Sequence, residues 1–153
     1  MSHVETCKVN VVDLKSLEAA CVRTGVKFVH GKKNYNWFGR HMGDYKLPTG
    51  FTKEMLGKCE HVIQVPGAHY EIGVANNPTG KGYTLLYDFY GSGSNAAHDG
   101  EKLLKKFGQG LTKLVDAYSI EALKAQARAK GYMTQESVLS NGKTKLVVTG
   151  FAS

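Results

Sequence analysis

The sequence predicts an α+β protein: an antiparallel or mixed β-sheet in the order β-α-β-long loop-β-β-β-α-β-β, with two main helices packed on one face. Three observations carry this. Residues 62–91 hold three apolar runs separated by Val65-Pro66-Gly67-Ala68 and by Asn76-Asn77-Pro78-Thr79-Gly80. Within them Tyr70, Ile72 and Val74 alternate with Glu71, Gly73 and Ala75, and Tyr83, Leu85, Tyr87 and Phe89 alternate with Thr84, Leu86, Asp88 and Tyr90. Such period-two alternation, bounded by Gly, Pro and Asn, is that of a meander with one buried face. Helical patterns stand on either side of it, and an Asn-Gly pair divides two strand-like runs near the end.

Each element has its own reason. Val4 to Val12 reads as a strand, with Cys7, Val9 and Val11 on one face. Asp13 stands where a helix N-cap should, because its carboxylate can accept from the first free amides. Leu14, Leu17 and Cys21 follow at helical spacing, and Gly25 is a natural C-terminal stop. Val26 to Val29 is a short second strand. From His30 to Glu60 the pattern dissolves, and only Thr52 to Leu56 suggests a helical turn. A connection this long is uncommon inside a domain, and its aromatic residues set it apart from plain disorder, so it is expected to fold down on the domain.

Beyond the meander, Glu101 to Phe107 carries Leu103, Leu104 and Phe107 as an apolar stripe, interrupted by Gly108 and Gly110. The clearest helix follows, with Leu111, Leu114, Val115, Tyr118, Ala122, Ala125 and Ala129 on one side. Gly131 ends it. Met133 to Ser140 and Lys143 to Thr149 flank Asn141-Gly142, which predicts a hairpin closed by a type I′ turn.

A chain of 153 residues is expected to form a single α+β domain, 1–153, with a basic-aromatic insertion at about 30–60. Apolar content of 42% with 22% charged residues is ordinary for a globular protein. Cys7, Cys21 and Cys59 have no CxxC spacing, which speaks against a zinc knuckle or disulfide framework and suits a reducing cytoplasm. Met1 leads into Ser2-His3-Val4-Glu5, and no apolar run approaches 18 residues, so neither a signal peptide nor a membrane span is expected. The net charge of +7 favours an anionic partner: nucleic acid, a nucleotide or an acidic protein surface.

Several landmarks occur together in order: Met1-Ser2-His3, Asp13-Leu14, Tyr70-Glu71-Ile72-Gly73, Gly82-Tyr83, Asp88, Tyr118, Gly131-Tyr132 and the Gly142 hairpin. In this set the chain resembles the hypothetical reading-frame family numbered thirty-five in the plastid series, found in red-algal plastids and cyanobacteria. The run Gly110-Leu111-Thr112-Lys113-Leu114-Val115 looks more like the relatives encoded by tailed phages. The resemblance spans residues 1–26 and 60–149, and His30 to Cys59 departs from it. It implies a fold class and little chemistry, and it transfers no catalytic or ligand residues; the expected setting is the cytoplasm, that of the host cell if the chain is phage-encoded.

The leading candidate site is the basic-aromatic loop, with Lys32, Lys33, Tyr35, Trp37, Arg40 and Lys46 expected to bind an anion. Aromatic faces stack bases while nearby Lys and Arg hold phosphates, as in single-strand binders. The alternative is that Trp37 and Phe38 anchor the loop to the core. A second candidate is Ser92-Gly93-Ser94, between a strand and a helix, as a phosphate loop; it lacks the Walker lysine and the GxGxxG spacing. His69, Glu71 and Asp88 could gather across the meander for acid–base work, but no nucleophile, base and orienting group are linked. His3, His61 and His98 have no metal-ligand spacing. The expectation is therefore a small non-enzymatic binding protein without cofactor or metal. Its ligand would be single-stranded nucleic acid or a nucleotide-like molecule. The rival reading is a phage structural, assembly or host-takeover protein acting through protein–protein contacts.

Overall fold

The structure, a computed structural model, describes residues 4–7, 9–39, 43, 45–89 and 99–150. Among the described residues, seven strands, β1 (Val4–Thr6), β2 (Lys27–Val29), β3 (His61–Gln64), β4 (Ile72–Asn76), β5 (Tyr83–Asp88), β6 (Met133–Val138) and β7 (Thr144–Thr149), combine with three α-helices, α1 (Leu14–Thr24), α2 (Asp99–Phe107) and α3 (Thr112–Ala129). The class is α+β. Five strands form one antiparallel sheet in the order β1-β5-β4-β3-β2, and β6 and β7 form a separate two-stranded sheet.

Local chemistry sets the helix ends. The Asp13 side chain accepts from the Lys15 amide at 3.1 Å and from the Ser16 hydroxyl at 2.6 Å, capping α1. Tyr118 Oη on α3 accepts from the Val12 and Asp13 amides at 3.0 and 3.3 Å, fixing α3 against the entry to α1. The first strand is shorter than the Val4 to Val12 expectation: it stops at Thr6, and Val11 returns as an isolated bridge to Tyr83. Ala129, placed on the apolar side of α3 by periodicity, is exposed, while Ala127 is buried; the helix closes with Tyr132 N–H donating to Ala127 O at 2.9 Å.

The sheet is covered on both faces, not one. Ile63, Ile72, Val74, Leu85 and Tyr87 face the helices and pack with Leu17, Cys21, Leu103, Phe107, Leu111, Leu114 and Tyr118. The opposite face, with Val4, Val62, Ala75 and Leu86, is covered by the long loop through Tyr35, Phe51, Leu56 and Cys59, with Trp37, Leu47 and Met55 partly buried against them. The loop is thus a third layer whose regular structure, among the described residues, is the short turn Lys53–Met55 and an isolated bridge between Asn34 and Lys58. Gly73 makes room for it: a Cβ there would stand 2.4 Å from Tyr35 Cδ1.

The Asn141-Gly142 hairpin forms, but its turn is not type I′. Only Gly142 takes a positive φ, of 82°. The three-residue loop Ser140-Asn141-Gly142 is closed by Leu139 N–H donating to Lys143 O at 2.8 Å and Gly142 N–H donating to Leu139 O at 2.9 Å. This is the three-residue hairpin in which one left-handed glycine ends the turn, and it spares Asn141 that conformation. Among the described residues no helix is long and apolar enough to cross a membrane.

Candidate functional site

Two buried carboxylates, Glu71 just before β4 and Asp88 at the end of β5, hold the basic-aromatic loop. Glu71, 3% exposed, accepts from Lys32 Nζ at 2.7 and 2.8 Å, from the Asn36 amide at 2.9 Å and from Gln64 Nε2 at 2.8 Å. Burial pushes its pKa up, but the donors from Lys32, Gln64 and Asn36 outweigh that and hold it below the ordinary glutamate value. Asp88, fully buried, accepts from the Phe38 amide at 3.0 Å. Extending the Gly73–Leu86 register by two residues sets Glu71 abreast of Asp88, so the pair engages amides two residues apart in the loop.

The anion-binding residues read from the sequence are not gathered into one open face. Lys32 is drawn to Glu71, and Lys33 Nζ is 2.6 Å from Glu60 Oε2. Tyr35 is 2% exposed, its hydroxyl buried with no hydrogen-bond partner among the described residues, and burial pushes its pKa up. Trp37 is half-buried against the second core, while Lys46 is exposed. Arg40, and Ser92, Gly93 and Ser94 of the phosphate-loop candidate, lie outside the described residues. The ring chemistry that suggested base stacking is thus the chemistry that seals a sheet face.

His69 and Glu71 line one polar cleft of about 370 Å³, with Lys27, Asn36 and Gln64. The four hydrogen bonds from three donors make Glu71 a clamp and stabilise its charged form, contrary to what a general acid needs. His61 and His30 lie with ring centroids 5.5 Å apart, His30 paired with Glu18 and His61 Nδ1 accepting from the Gly31 amide at 3.0 Å. Among the described residues no group of three or more His, Cys, Asp or Glu side chains could hold a metal ion.

The β6–β7 hairpin is a surface that sequence reading did not single out. It folds back along α3, tied there by a charged cluster. Arg23 of α1 donates to Glu121 of α3 at 2.8 Å and to Glu136 of β6, and Lys124 lies 3.6 and 3.5 Å from the same two carboxylates. Hydrogen bonding to Arg23 holds the Glu136 pKa below its ordinary value. Met133 (59%), Val138 (76%) and Val148 (48%) are exposed, as are Tyr132, Leu139 and Val147. Lys143 and Lys145 are exposed beside them. A cleft of about 540 Å³ opens beneath the tip, lined by Arg23, Lys113, Asp116, Ser119, Lys143 and Thr144 among others. In sequence, Lys143 to Thr149 reads like any core strand, and only the sheet order shows that, among the described residues, it pairs with β6 alone.

Comparison of the chain with protein-family models, with curated proteins and with solved structures finds no match in any of the three.

Proposed function

We propose that the chain is a small non-enzymatic binding protein acting through protein–protein contacts, and that the β6–β7 arm docks on an acidic surface of its partner. The observation that supports this is the arm itself. The two-stranded sheet leans on α3 on one side, and it displays apolar side chains together with lysines on its exposed surface. A net charge of +7 matches the acidic character of the proposed partner. A phage-encoded lineage, with a role in assembly or host takeover in the host cytoplasm, belongs to the same proposal.

The rival is a nucleic acid or nucleotide-like ligand on the loop. It is supported by exposed Lys46 but weakened by the inward placement of Tyr35 and the pairing of Lys32 and Lys33. Fluorescence anisotropy with two labelled probes separates them: an alternating Glu-Val hexapeptide and a single-stranded oligonucleotide. The proposal expects the peptide to bind at moderate salt, with oligonucleotide binding confined to low salt, where counterion release drives it. An oligonucleotide held at moderate salt, with no binding of the peptide, would overturn the proposal.

A further inference from the structure

We infer that the outer edge of β7 is a strand-addition site for an extended segment of a partner protein carrying acidic side chains at every second residue. This rests on the reading that the arm is the binding element, and it names the backbone groups that do the binding.

The edge groups follow from the hairpin's closing geometry. Leu139 donates to Lys143 O, so those two residues form a hydrogen-bonded pair. Hydrogen-bonded and non-hydrogen-bonded pairs alternate along an antiparallel ladder. Ser137–Lys145, Gln135–Val147 and Met133–Thr149 are therefore bonded pairs, and Val138–Thr144, Glu136–Leu146 and Thr134–Val148 are not. The N–H and C=O groups of Thr144, Leu146 and Val148 consequently point away from β6, toward an edge with no neighbouring strand among the described residues.

The two edges of the arm are not equivalent. β6 is tied to the helices through Glu136, whose carboxylate meets Arg23 and Lys124. β7 reads Thr-Lys-Leu-Val-Val-Thr, six residues with no proline, no glycine and no acid. Proteins ordinarily blunt such an edge with proline, a bulge or several charges, because it will pair with whatever extended chain it meets. Only Lys145 lies within the strand, with Lys143 just before it. Lys145 shares a sheet face with Val147, and Leu146 shares the opposite face with Thr144 and Val148. An incoming strand with acids on one face and β-branched residues on the other meets both requirements at once. Backbone bonds would supply affinity and the alternating side chains specificity, as in other strand-addition sites. Pairing with a second copy is opposed by a net charge of +7 on each chain.

The test is residue-resolved amide exchange by NMR on the full chain, with and without the Glu-Val hexapeptide. In the free protein, Leu146 and Val148 should exchange fast and Lys145 and Val147 slowly. Saturating peptide should slow Leu146 and Val148 by about tenfold or more, and a Lys-Val hexapeptide should not. Val148→Pro removes an edge donor without removing a hairpin bond, and it should weaken peptide binding. Thr134→Pro, at the cross-strand neighbour whose amide lies on the β6 edge, should leave binding intact. Should proline disrupt the hairpin itself, the wild-type exchange pattern decides alone. Peptide binding with no protection at Leu146 and Val148 would overturn strand addition and leave arm docking standing. No peptide binding at all would overturn both. A doubled mass with those amides already protected in the free protein would show self-pairing and overturn the assignment to a partner segment.

Discussion

Replacing Gly73 by alanine probes whether the long loop is a true layer of the fold. A Cβ at this position meets Tyr35 Cδ1 at 2.4 Å, Cε1 at 2.8 Å and Cγ at 2.9 Å. Ordinary carbon contacts lie at about 3.5–4.0 Å, so the ring must withdraw by about 1 Å. It has little room to do so: Tyr35 is 2% exposed, packs with Phe51, Leu56 and Cys59, and is pinned at its amide by Gly57 O at 3.0 Å. Overpacking of this kind costs about 1–3 kcal/mol. At about 2–4 °C per kcal/mol for a chain of this size, the melting temperature should fall by about 2–12 °C. In a Tyr35→Ala background the sign should reverse. With the ring gone, alanine only restricts the unfolded chain and should stabilise by about 0.4–1 kcal/mol. Thermal melts of the four proteins complete the cycle. An equal effect of Gly73→Ala in both backgrounds would refute the placement of the loop over β4.

Three further outcomes follow from the same contacts. Glu71→Ala should destabilise toward the low end of the roughly 3–5 kcal/mol expected for breaking a buried pair, because the Lys32 side chain is 37% exposed and can rehydrate. The folded Glu71 pKa is lowered, so its contribution should be complete above the unfolded value of about 4.3 and vanish as pH falls through the folded one; a wild-type advantage undiminished in acid would contradict this. Burial pushes the thiols of Cys7 and Cys21 up to about 12 and that of Cys59 to about 11, so a thiol reagent at pH 8 should label none of them until denaturant is added. Arg23→Ala should speed amide exchange in β6 while leaving β4 and β5 unchanged, the loss being about 0.2–1 kcal/mol per exposed pair.

Much of the fold was legible because local chemistry and periodicity agreed. Asp13 and Gly25 mark the ends of α1, and the Asn141-Gly142 pair marks the hairpin. The second sheet face was not legible for a physical reason. Glu71, Gly73 and Ala75 look like a solvent-facing row, yet they are charged or small because a carboxylate must clamp the loop and a tyrosine ring must lie on the backbone. The loop carries the same ambiguity. Lysines and aromatics in one segment suit a stacking platform, but here Tyr35 turns inward and Lys32 and Lys33 meet Glu71 and Glu60, carboxylates more than 20 residues away in sequence. The hairpin's isolation was equally hidden, since a strand missing its neighbour has the same composition as one in a sheet.

The most direct test of the account sets the arm against the loop at constant charge. Lys145→Glu and Lys46→Glu each lower the net charge by two, so bulk electrostatics change equally while the local sites differ. Titration of the Glu-Val hexapeptide at moderate salt should show Lys145→Glu weakened by about threefold or more, as expected for reversing one exposed ion pair, with Lys46→Glu matching the wild type. Weakening by Lys46→Glu with Lys145→Glu unaffected would contradict the account and return the binding site to the loop.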